Sequence, residues 1–369
     1  MKRLRWSWEK TAAGCLCVLF IGISYLTAQK TAVGKEDGVA VIRNPTKPVA
    51  NQGPSKLTLE EELTIGLFEK ESGFHFEDIG AIQSDSSGDI YVLDRRACQI
   101  KKFNGAGEPL KSFGRKGQGP GEFGPPNGMH IISDKEVLVS SLGRLSYFDL
   151  DGTFIRQKTA MFWGAPIPDS KGNLVAETNM PNGGPPKFVK ELRVYDPSLN
   201  ILSLIRRHEY VMPSDSDILS PFPAITFYAV QSDDSVVWGV TDRYILTVSD
   251  INGLVKRRIL KDFRPLRISD ADKETILSQL APEAKYDFPD NYPPFRAFHV
   301  DDEGRIFVRT YERDKNGNPL YDVFNKEGYF FAKVVLEGAP LSWRKGKLYS
   351  LAEDRDGFLQ VKRYRARWE

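Results

Sequence analysis

Short hydrophobic segments recur along the chain, and each follows a turn that is rich in Asp, Ser, Lys and Gly. In the first copy, residues 85–88 read DSSG and the β-branched and aromatic residues 90–92 follow directly. A polar turn before a short run of this kind predicts a strand of a hairpin. The pattern occurs six times, with its strands at residues 90–92, 137–139, 174–175, 236–238, 306–308 and 348–349.

A second polar turn follows each of the first five strands. An aromatic residue or Val and then a small polar residue precede this turn, as in Phe103-Asn104 and Phe148-Asp149. Each unit therefore contains two hairpins, or four strands. Six units over the last ~310 residues have roughly 52 residues each, which is the size of a propeller blade with insertions. The sequence predicts an all-β fold, a six-bladed β-propeller.

The two ends of the predicted ring complement each other. After the third strand of unit six, around residues 358–364, only residues 365–369 remain, too few for a fourth strand. Residues 63–68 lie before unit one, have the alternation of a strand, and can supply the missing outer strand. A ring closed in this way leaves no mismatched sheet edge.

One stretch of the first unit carries a family resemblance. Residues 114–124 read GRKGQGPGEFG, and the segments SSGDIYVLD and KKFNGAGEPL precede them. Together they resemble the NHL-repeat family, and more closely the exported bacterial six-bladed β-propellers of that NHL or TolB-like type. Only the first unit matches the motif tightly. The resemblance implies the fold, but it implies no single activity, because the family includes binding scaffolds and metal-dependent enzymes.

The glycine-rich stretch is interpreted as a junction between blades. A Walker phosphate loop needs Gly-Lys-Ser/Thr before a helix, whereas here Pro120 removes a donor and the next segment has a strand pattern. We expect Glu122 to brace the turn by accepting backbone hydrogen bonds.

Residues 1–29 are predicted to be a signal peptide or a transmembrane anchor. Residues 11–29 are 19 positions without a formal charge, and Lys2, Arg3, Arg5 and Lys10 precede them. Positive charge on the short flank keeps that end in the cytoplasm, so the rest of the chain is expected outside the inner membrane. The protein is then either anchored, facing the periplasm or exterior, or secreted after cleavage. The 19-residue uncharged segment is long for the apolar region of a signal peptide and marginal for a transmembrane helix, so the sequence allows either fate.

The remaining chain is divided into two parts. Residues 30–56 contain Pro45, Pro48 and Pro54 and few aromatics, which predicts a disordered tether. Residues 57–369 are predicted to form the propeller.

Net charge and cysteine and histidine content argue against several classes of partner and site. Without residues 1–28 the chain has 47 basic and 48 acidic residues, a net charge of −1, so no nucleic-acid partner is expected. The basic residues 362–367 are interpreted as an edge strand that resists aggregation. Cys98 is the one cysteine after the leader, so no disulfide is expected there, and four widely spaced histidines do not predict zinc.

The functional surface is expected on one face of the ring. If the strands of a blade are a, b, c and d, the b–c turns and the connections from d to the next a share a face, called here the loop face. Long insertions are predicted on it at residues 179–188, 208–223, 264–294 and 312–318. Ser269 is predicted to cap a helix at about 270–280, either a lid or a helix packed on the rim. Loops on a rigid scaffold often form recognition sites. Surface loops that lengthen without any functional constraint would give the same distribution of insertions.

Polar side chains just after the b strands are expected near the mouth of the channel. The candidates are Asp94, Arg95, Arg144, Glu177, Asn179, Asp242, Arg243, Arg309 and Tyr311. Arginines in this position can bind a carboxylate, a phosphate or a sugar acid through paired hydrogen bonds. They can equally form ion pairs between blades.

No nucleophile–base pair, Gly-x-Ser-x-Gly elbow or metal motif is visible in the sequence. We therefore predict a non-enzymatic, extracytoplasmic binding or scaffold propeller that recognises a protein, peptide or glycan through the loop face. No cofactor is expected, and membrane contact is expected through the N-terminal segment only. The alternative is a metal-dependent hydrolase, such as a lactonase, or a lyase. In it Asp94, Glu177, Asn179 and Asp242 converge on a divalent cation such as Ca²⁺ at the channel mouth.

Overall fold

The computed structural model describes residues 31–66, 73–181, 187–211, 218–336 and 338–369. The predicted signal peptide or anchor, residues 1–29, lies outside these ranges. Within them, no helix combines the length and the apolar character that crossing a membrane requires.

Three strands precede the first blade, and the blades then follow one another along the chain. The three are β1 (Ala32–Glu36), β2 (Val39–Asn44) and β3 (Leu57–Ile65). Blade one consists of β4 (Ile79–Ser84), β5 (Ile90–Asp94), β6 (Gln99–Phe103) and β7 (Pro109–Phe113). The short strands β8 (Arg115–Lys116) and β9 (Glu122–Phe123) follow, and blade two consists of β10 (Pro126–Ile132), β11 (Glu136–Ser141), β12 (Arg144–Asp149) and β13 (Phe154–Thr159).

Blade three consists of β14 (Ile167–Pro168), β15 (Leu174–Pro181), β16 (Lys187–Tyr195) and β17 (Ile201–Val211). After β18 (Ile218–Leu219), blade four consists of β19 (Thr226–Val230), β20 (Val236–Val240), β21 (Ile245–Ser249) and β22 (Val255–Lys261). Helix α1 (Asp270–Leu277) and β23 (Lys285–Tyr286) precede blade five, which consists of β24 (Ala297–Val300), β25 (Ile306–Arg313), β26 (Pro319–Phe324) and β27 (Phe330–Val335). Blade six begins with β28 (Ala339–Arg344), β29 (Lys347–Glu353) and β30 (Leu359–Trp368).

The predicted six-bladed propeller is confirmed. Each blade is an antiparallel sheet in which strands a to d follow in order. The first strands of neighbouring blades, such as β4 and β10 or β19 and β24, lie beside one another. Apolar clusters then fill the space between blades, for example Leu246 and Ile259 of blade four against Ile306 and Phe324 of blade five.

Turn chemistry explains the repeated sequence pattern. The Asp85 carboxylate accepts hydrogen bonds from the backbone N–H of Gly88 at 2.9 Å and of Asp89 at 3.0 Å. Gly88 has a φ of 96°, which favours glycine. Asp169 and Asp301 hold the corresponding turns of blades three and five in the same way. The recurring Asp and Gly are therefore required by the hairpins.

The a–b turns of all six blades are linked in a ring at the face opposite the loop face. Arg344 of blade six also reaches Asp134 of blade two, with 2.7 Å to each carboxylate oxygen. Together with the links between successive blades given next, this ion pair joins the a–b turns into a closed ring around the propeller axis. The links between successive blades are Ser86 N–Asp134 Oδ1 (3.1 Å), Ser133 Oγ–Ser170 O (2.7 Å), Ser170 N–Asp234 Oδ1 (2.8 Å), Gln231 Nε2–Gly304 O (3.0 Å), Gly346 N–Asp302 Oδ2 (3.2 Å) and Lys345 Nζ–Ser86 O (2.7 Å).

The N-terminal strand β3 completes blade six, as the sequence pattern at the two chain ends predicted. It pairs antiparallel with β30 and is the outer strand of the order β28-β29-β30-β3. It begins at Leu57, earlier than the predicted residue 63. The basic C-terminal strand is therefore not an edge, and that interpretation is wrong. Its cations instead face carboxylates of β3, as in Lys362–Glu61 (2.8 Å) and Arg367–Glu60 (3.2 Å).

The prediction of a disordered tether at residues 30–56 is wrong. Strands β1 and β2 form a hairpin, and β2 pairs parallel with β22, so the sheet of blade four has six strands. Apolar residues drive this addition, because Val41 and Ile42 are buried to 2% and 5% exposure. The prolines that indicated disorder all follow the hairpin.

Residues 45–56 continue along the outside of blade five. The N–H of Val49 donates to the carbonyl of Phe330 at 2.9 Å, and the Asn325 side chain donates to the carbonyl of Gln52 at 3.0 Å. At Gly53 a Cβ would lie 2.7 Å from the Phe331 ring, so only glycine fits there. The segment therefore leads directly from blade four to the closing strand of blade six.

The glycine-rich junction has the predicted form. One Glu122 oxygen accepts the backbone N–H of Gln118 and of Gly119, each at 2.9 Å, and Arg115 donates to the other at 2.7 Å. A Cβ at Gly117 would lie 2.0 Å from the Glu122 carboxylate, which explains the glycine.

Asp94 and Lys101 form a buried ion pair in blade one, with 2.9 Å between Oδ2 and Nζ. Both side chains are almost fully inaccessible. Burial acts to raise the pKa of Asp94, but hydrogen bonds from the N–H of Glu77, from Lys101 and from the N–H of Ala97 outweigh it and leave the pKa below its ordinary value. The pair therefore holds the b–c turn in place.

Asn44 anchors the N-terminal hairpin, and its replacement should be costly. The buried side chain donates to the carbonyls of Leu260 (3.2 Å) and Gly328 (2.9 Å) and accepts the N–H of Phe330 (2.9 Å). We expect Asn44→Ala to lower the free energy of unfolding by about 2 kcal/mol, because buried backbone groups lose their partner. Chemical denaturation measures this. The exposed Asn316→Ala serves as control and should change stability by less than about 0.5 kcal/mol.

Asp94→Ala should destabilise the fold by about 3–5 kcal/mol at neutral pH, because it leaves the Lys101 charge buried and unpaired. The double variant Asp94→Leu/Lys101→Met should recover the part of the loss that comes from the unpaired Lys101 charge, whereas the backbone N–H groups of Glu77 and Ala97 stay without their acceptor. The pKa of Asp94 is lowered in the folded state, so its stabilisation is present at neutral pH and is lost as pH falls through that pKa. Denaturation curves of the three proteins across acidic pH measure both effects. A loss under about 1 kcal/mol for Asp94→Ala would contradict the assignment.

Candidate binding groove between blades three and four

The predicted site residues of blades one and two do not meet at a common site. Asp94 is buried against Lys101, as described above, and cannot face a ligand at the channel mouth. The Arg95 guanidinium forms paired hydrogen bonds with Asp78, at 2.7 and 3.1 Å. Arg144 donates to the carbonyl of Gln118 at 3.1 Å. These three residues thus stabilise the b–c turns and junction of their own blades.

One of the two predicted residues of blade five, Tyr311, lies in an aromatic cluster. The Tyr311 ring stacks on Tyr292, with 4.4 Å between centroids, and meets Phe222 edge-on at 5.8 Å. Burial raises the pKa of the Tyr311 hydroxyl. Arg309 is half-buried in the same strand. The cluster holds the long connections before blades four and five against each other.

The remaining four predicted residues surround one groove. Asp242 and Arg243 line it directly. Glu177 lies behind it, 3.6 Å from the Nζ of Lys190, and burial raises the pKa of its carboxyl. Asn179 donates to the hydroxyl of Tyr210 at 2.8 Å. The lining residues Lys190 and Tyr210 therefore connect Glu177 and Asn179 to the groove.

The groove has a volume of about 820 Å³ and separates the outer part of blade three from the face of blade four. Near the a–b turns the two blades pack tightly through Val175, Ile205 and Val236. Further along, blade three continues beyond this contact. Its strands β15, β16 and β17 extend into residues that were predicted to be loops, from 179 to 181, from 187 to 188 and from 208 to 211.

The floor of the groove is built from the sheet of blade four. Trp238, Thr247 and Arg258 are directly opposite one another on β20, β21 and β22, so their side chains share a face. Beside them, Ile245 and Leu260 form an apolar row together with Val240. The floor thus offers one aromatic and cationic row and one apolar row.

The opposite wall comes from alternate residues of β17. Arg206, His208 and Tyr210 are two positions apart and therefore point to the same side. Lys190 of β16 is paired with His208 and adds a second cation. The Lys190 ammonium lies 5.0 Å from the Tyr210 ring centroid and 5.1 Å from that of Trp163. The wall is cationic and aromatic.

Sequence reasoning missed the β17 residues, although a signal was available. Residues 206–210 read RRHEY, which gives neither side of the strand an apolar position. A strand of this kind cannot pack both of its faces into a core. The pattern therefore indicates that this end of β17 borders an open space.

The Arg206 guanidinium spans the groove from wall to floor. It donates to the Thr226 hydroxyl at 2.8 Å and lies 5.6 Å from the centroid of the Trp238 ring. Burial lowers the pKa of Arg206. Burial, Arg206 and Lys190 also lower the pKa of His208, so this imidazole is largely neutral at pH 7. The fixed positive charges of the groove are those of lysine and arginine.

Of the four residues proposed as cation ligands, Asp94 is buried against Lys101 in blade one, away from the other three, which lie at or behind the groove. In the described ranges, no three His, Cys, Asp or Glu side chains are grouped so that they could hold a metal ion.

The loop face also exposes large apolar side chains. Leu142, Met161 and Phe358 are exposed to 81%, 69% and 65%. The predicted helix is present as α1, with Ser269 as its cap, and ends at Leu277 without a buried residue. The exposed large apolar residues of b–c turns, d–a connections and adjoining strand ends are Leu142, Met161, Trp163, Met180, Val211, Ile218, Ile225, Phe263, Leu266, Leu277 and Phe358. Others lie on outer strands or a c–d turn, namely Val33, Leu110, Ile155, Ile201, Leu202, Leu204 and Leu254.

Comparison with known proteins agrees with the fold. Residues 67–175 match the family DUF5128, described as a 6-bladed beta-propeller. No curated protein matches the chain. A candidate exported protein from Bacteroides fragilis is 14% identical with a TM-score of 0.54, and the match covers 89% of this chain and 99% of that one.

A member of the DUF4221 family from Bacteroides vulgatus is 12% identical with a TM-score of 0.51, covering 86% of this chain and 100% of that one. A luciferin-regenerating enzyme matches with 13% identity and a TM-score of 0.44, covering 84% and 95%, a similarity too low for any functional argument. At these identities the similarities indicate the fold alone. The chain is a six-bladed β-propeller, and its function has to be argued from the groove.

Proposed function

We propose that this protein is an exported, non-enzymatic binding propeller that holds an elongated ligand in the groove between blades three and four. The observation that carries the proposal is the groove itself. A space of about 820 Å³ lies between two rigid sheets and is lined by aromatic, cationic and apolar side chains. Clefts of this size and lining are typical of ligand sites.

The charges of the groove favour binding over acid–base chemistry. Among the described residues, the carboxylates that line it are Glu36 and Asp242, and each lies beside an arginine, Arg43 and Arg243. Arg206 and Lys190 act on the pKa of the His208 imidazole more strongly than the Asp242 carboxylate does. A general base is normally oriented by a carboxylate or a hydrogen-bonded nucleophile. The described side chains instead form a surface that can hold an anionic or aromatic group.

The exposed apolar side chains of the loop face support a large partner. Contiguous exposed apolar surface marks interaction sites, and exposed Met161 and Trp163 lie two positions apart where Trp163 meets the groove residue Lys190. A polymeric ligand, such as a peptide or a glycan, can lie in the groove and extend over this rim. The propeller would then act as a binding module outside the inner membrane.

Fluorine NMR of the whole protein tests this function. The chain has six tryptophans, and after labelling with 5-fluorotryptophan the signal of Trp238 is identified with the Trp238→Phe variant. Panels of soluble oligosaccharides and peptides serve as probes. We expect at least one class of probe to shift the Trp238 signal, because the indole lines the groove floor.

Trp343 provides the internal control, because it is 9% exposed and packed in the core between blades five and six. Its signal should stay in place. If no probe moved Trp238 at millimolar concentration, or if Trp343 moved to the same extent, the groove would not be the binding site.

A further inference from the structure

We propose that the groove ligand is an acidic oligosaccharide, with one sugar ring packed against Trp238 and carboxylate or sulfate groups of the chain bound by Arg206 and by Arg258. This inference rests on the proposed binding function and names the chemistry of its ligand. Four features of the groove lead to it.

The first feature is the spacing of the floor residues. Trp238 and Arg258 are separated by one strand, which carries Thr247 at the same level. Neighbouring strands are about 4.8 Å apart, so the backbone positions of Trp238 and Arg258 are roughly 10 Å apart. A ligand with a flat ring at one end and an anionic group at the next unit fits this separation.

The second feature is the state of the Trp238 indole. Its N–H donates to the Ser249 hydroxyl at 3.3 Å, so the one polar atom of the ring already has a partner. The half-buried ring borders the groove and presents apolar surface to it. Flat aromatic surfaces of this kind pack against the C–H face of a pyranose ring.

The third feature is the charge of the two arginines. Within the described part of the chain, no carboxylate lies within 4.0 Å of the guanidinium of Arg206 or of Arg258, whereas the neighbouring Arg43 and Arg243 have such a partner. Arg206 makes one hydrogen bond, to a neutral hydroxyl. A guanidinium offers five donors in a planar fork that matches a carboxylate or sulfate. The two arginines thus provide the unused donors of the groove.

The fourth feature separates a glycan from a peptide. An extended peptide usually binds by adding a strand to a free sheet edge. The floor strands β20, β21 and β22 have neighbours on both sides, since β19 and β2 flank them. The floor therefore offers side chains and no free backbone groups, which suits a sugar recognised by stacking and by paired hydrogen bonds. The outer strands β17 and β1 of the described sheets are free edges beside the groove, so pairing of a peptide with one of them is the competing outcome of the test.

Isothermal titration of the full chain with defined oligosaccharides tests the inference. The probes are trigalacturonate, its methyl-esterified form and a κ-carrageenan disaccharide, which carries sulfate and no carboxylate. We expect binding of the galacturonate or of the sulfated sugar, and the two arms show which anionic group is preferred. The esterified form should bind at least about tenfold more weakly, because it lacks the charge that the arginines hold.

Variants locate the contacts. Arg206→Gln and Arg258→Gln should each weaken binding by about tenfold or more and reduce its dependence on salt. Trp238→Ala should weaken binding of charged and esterified sugars alike. Arg144→Gln is the matched control, since this arginine lies on the loop face outside the groove, and should leave the affinity unchanged. Thermal denaturation checks that each variant is folded.

The possible failures are distinguishable. Equal affinity for charged and esterified sugars, or an unchanged affinity in both arginine variants, would overturn the acidic-glycan inference and leave the binding function intact. Movement of the Trp238 NMR signal by peptides alone would do the same. If neither sugars nor peptides moved that signal, the proposed function itself would fail.

Discussion

The pairing of β3 with β30 is the constraint on which the rest of the structure depends. A propeller of separate sheets has to join its first and last blades, and here the outer strand of blade six comes from the N-terminal side of the chain. Eight residue pairs and the facing charges of Glu60, Glu61 and Glu62 with the basic C-terminal strand hold this junction. This closure also fixes the positions of the blades relative to one another at their a–b turns, because Arg344 of the last blade can reach Asp134 of the second only in the closed ring.

The groove follows from how the blades pack within this closed ring. Apolar residues join blades three and four near their a–b turns, whereas the far end of β17 carries only polar, charged and aromatic side chains up to Val211. Burying those side chains against the sheet of blade four would remove charges from water without compensation. The blades therefore separate there, and the N-terminal hairpin covers the outer edge of the same sheet. Both features leave a rigid, open space.

Buried charges in this protein are of two kinds, and the difference decides which side chains can act on a ligand. Asp94 with Lys101 is enclosed within blade one and holds its b–c turn, and Asp322 with Tyr244 (2.6 Å) and Lys261 (3.2 Å) is enclosed between blades four and five and joins them. Arg206 and Arg258 border open space and have no carboxylate partner in the described ranges. Charges of the first kind stabilise the fold when both partners are present. Charges of the second kind are available for recognition.

The amino-acid sequence by itself determined the six blades, their turns and the closure by both ends, because these depend on local periodicity and on Asp and Gly at the hairpins. It also indicated the loop face and the residues Asp242 and Arg243 of the groove. Which of the other candidates face a ligand was decided by the tertiary structure, since Asp94 and Lys101 are seven positions apart and only folding buries them as a pair. The tertiary structure also decided the conformation of residues 32–44, because the prolines that follow them in the sequence suggested a disordered tether. A strand that needs β22 as its partner has no signal in its own composition, so only the assembled sheet shows where it binds.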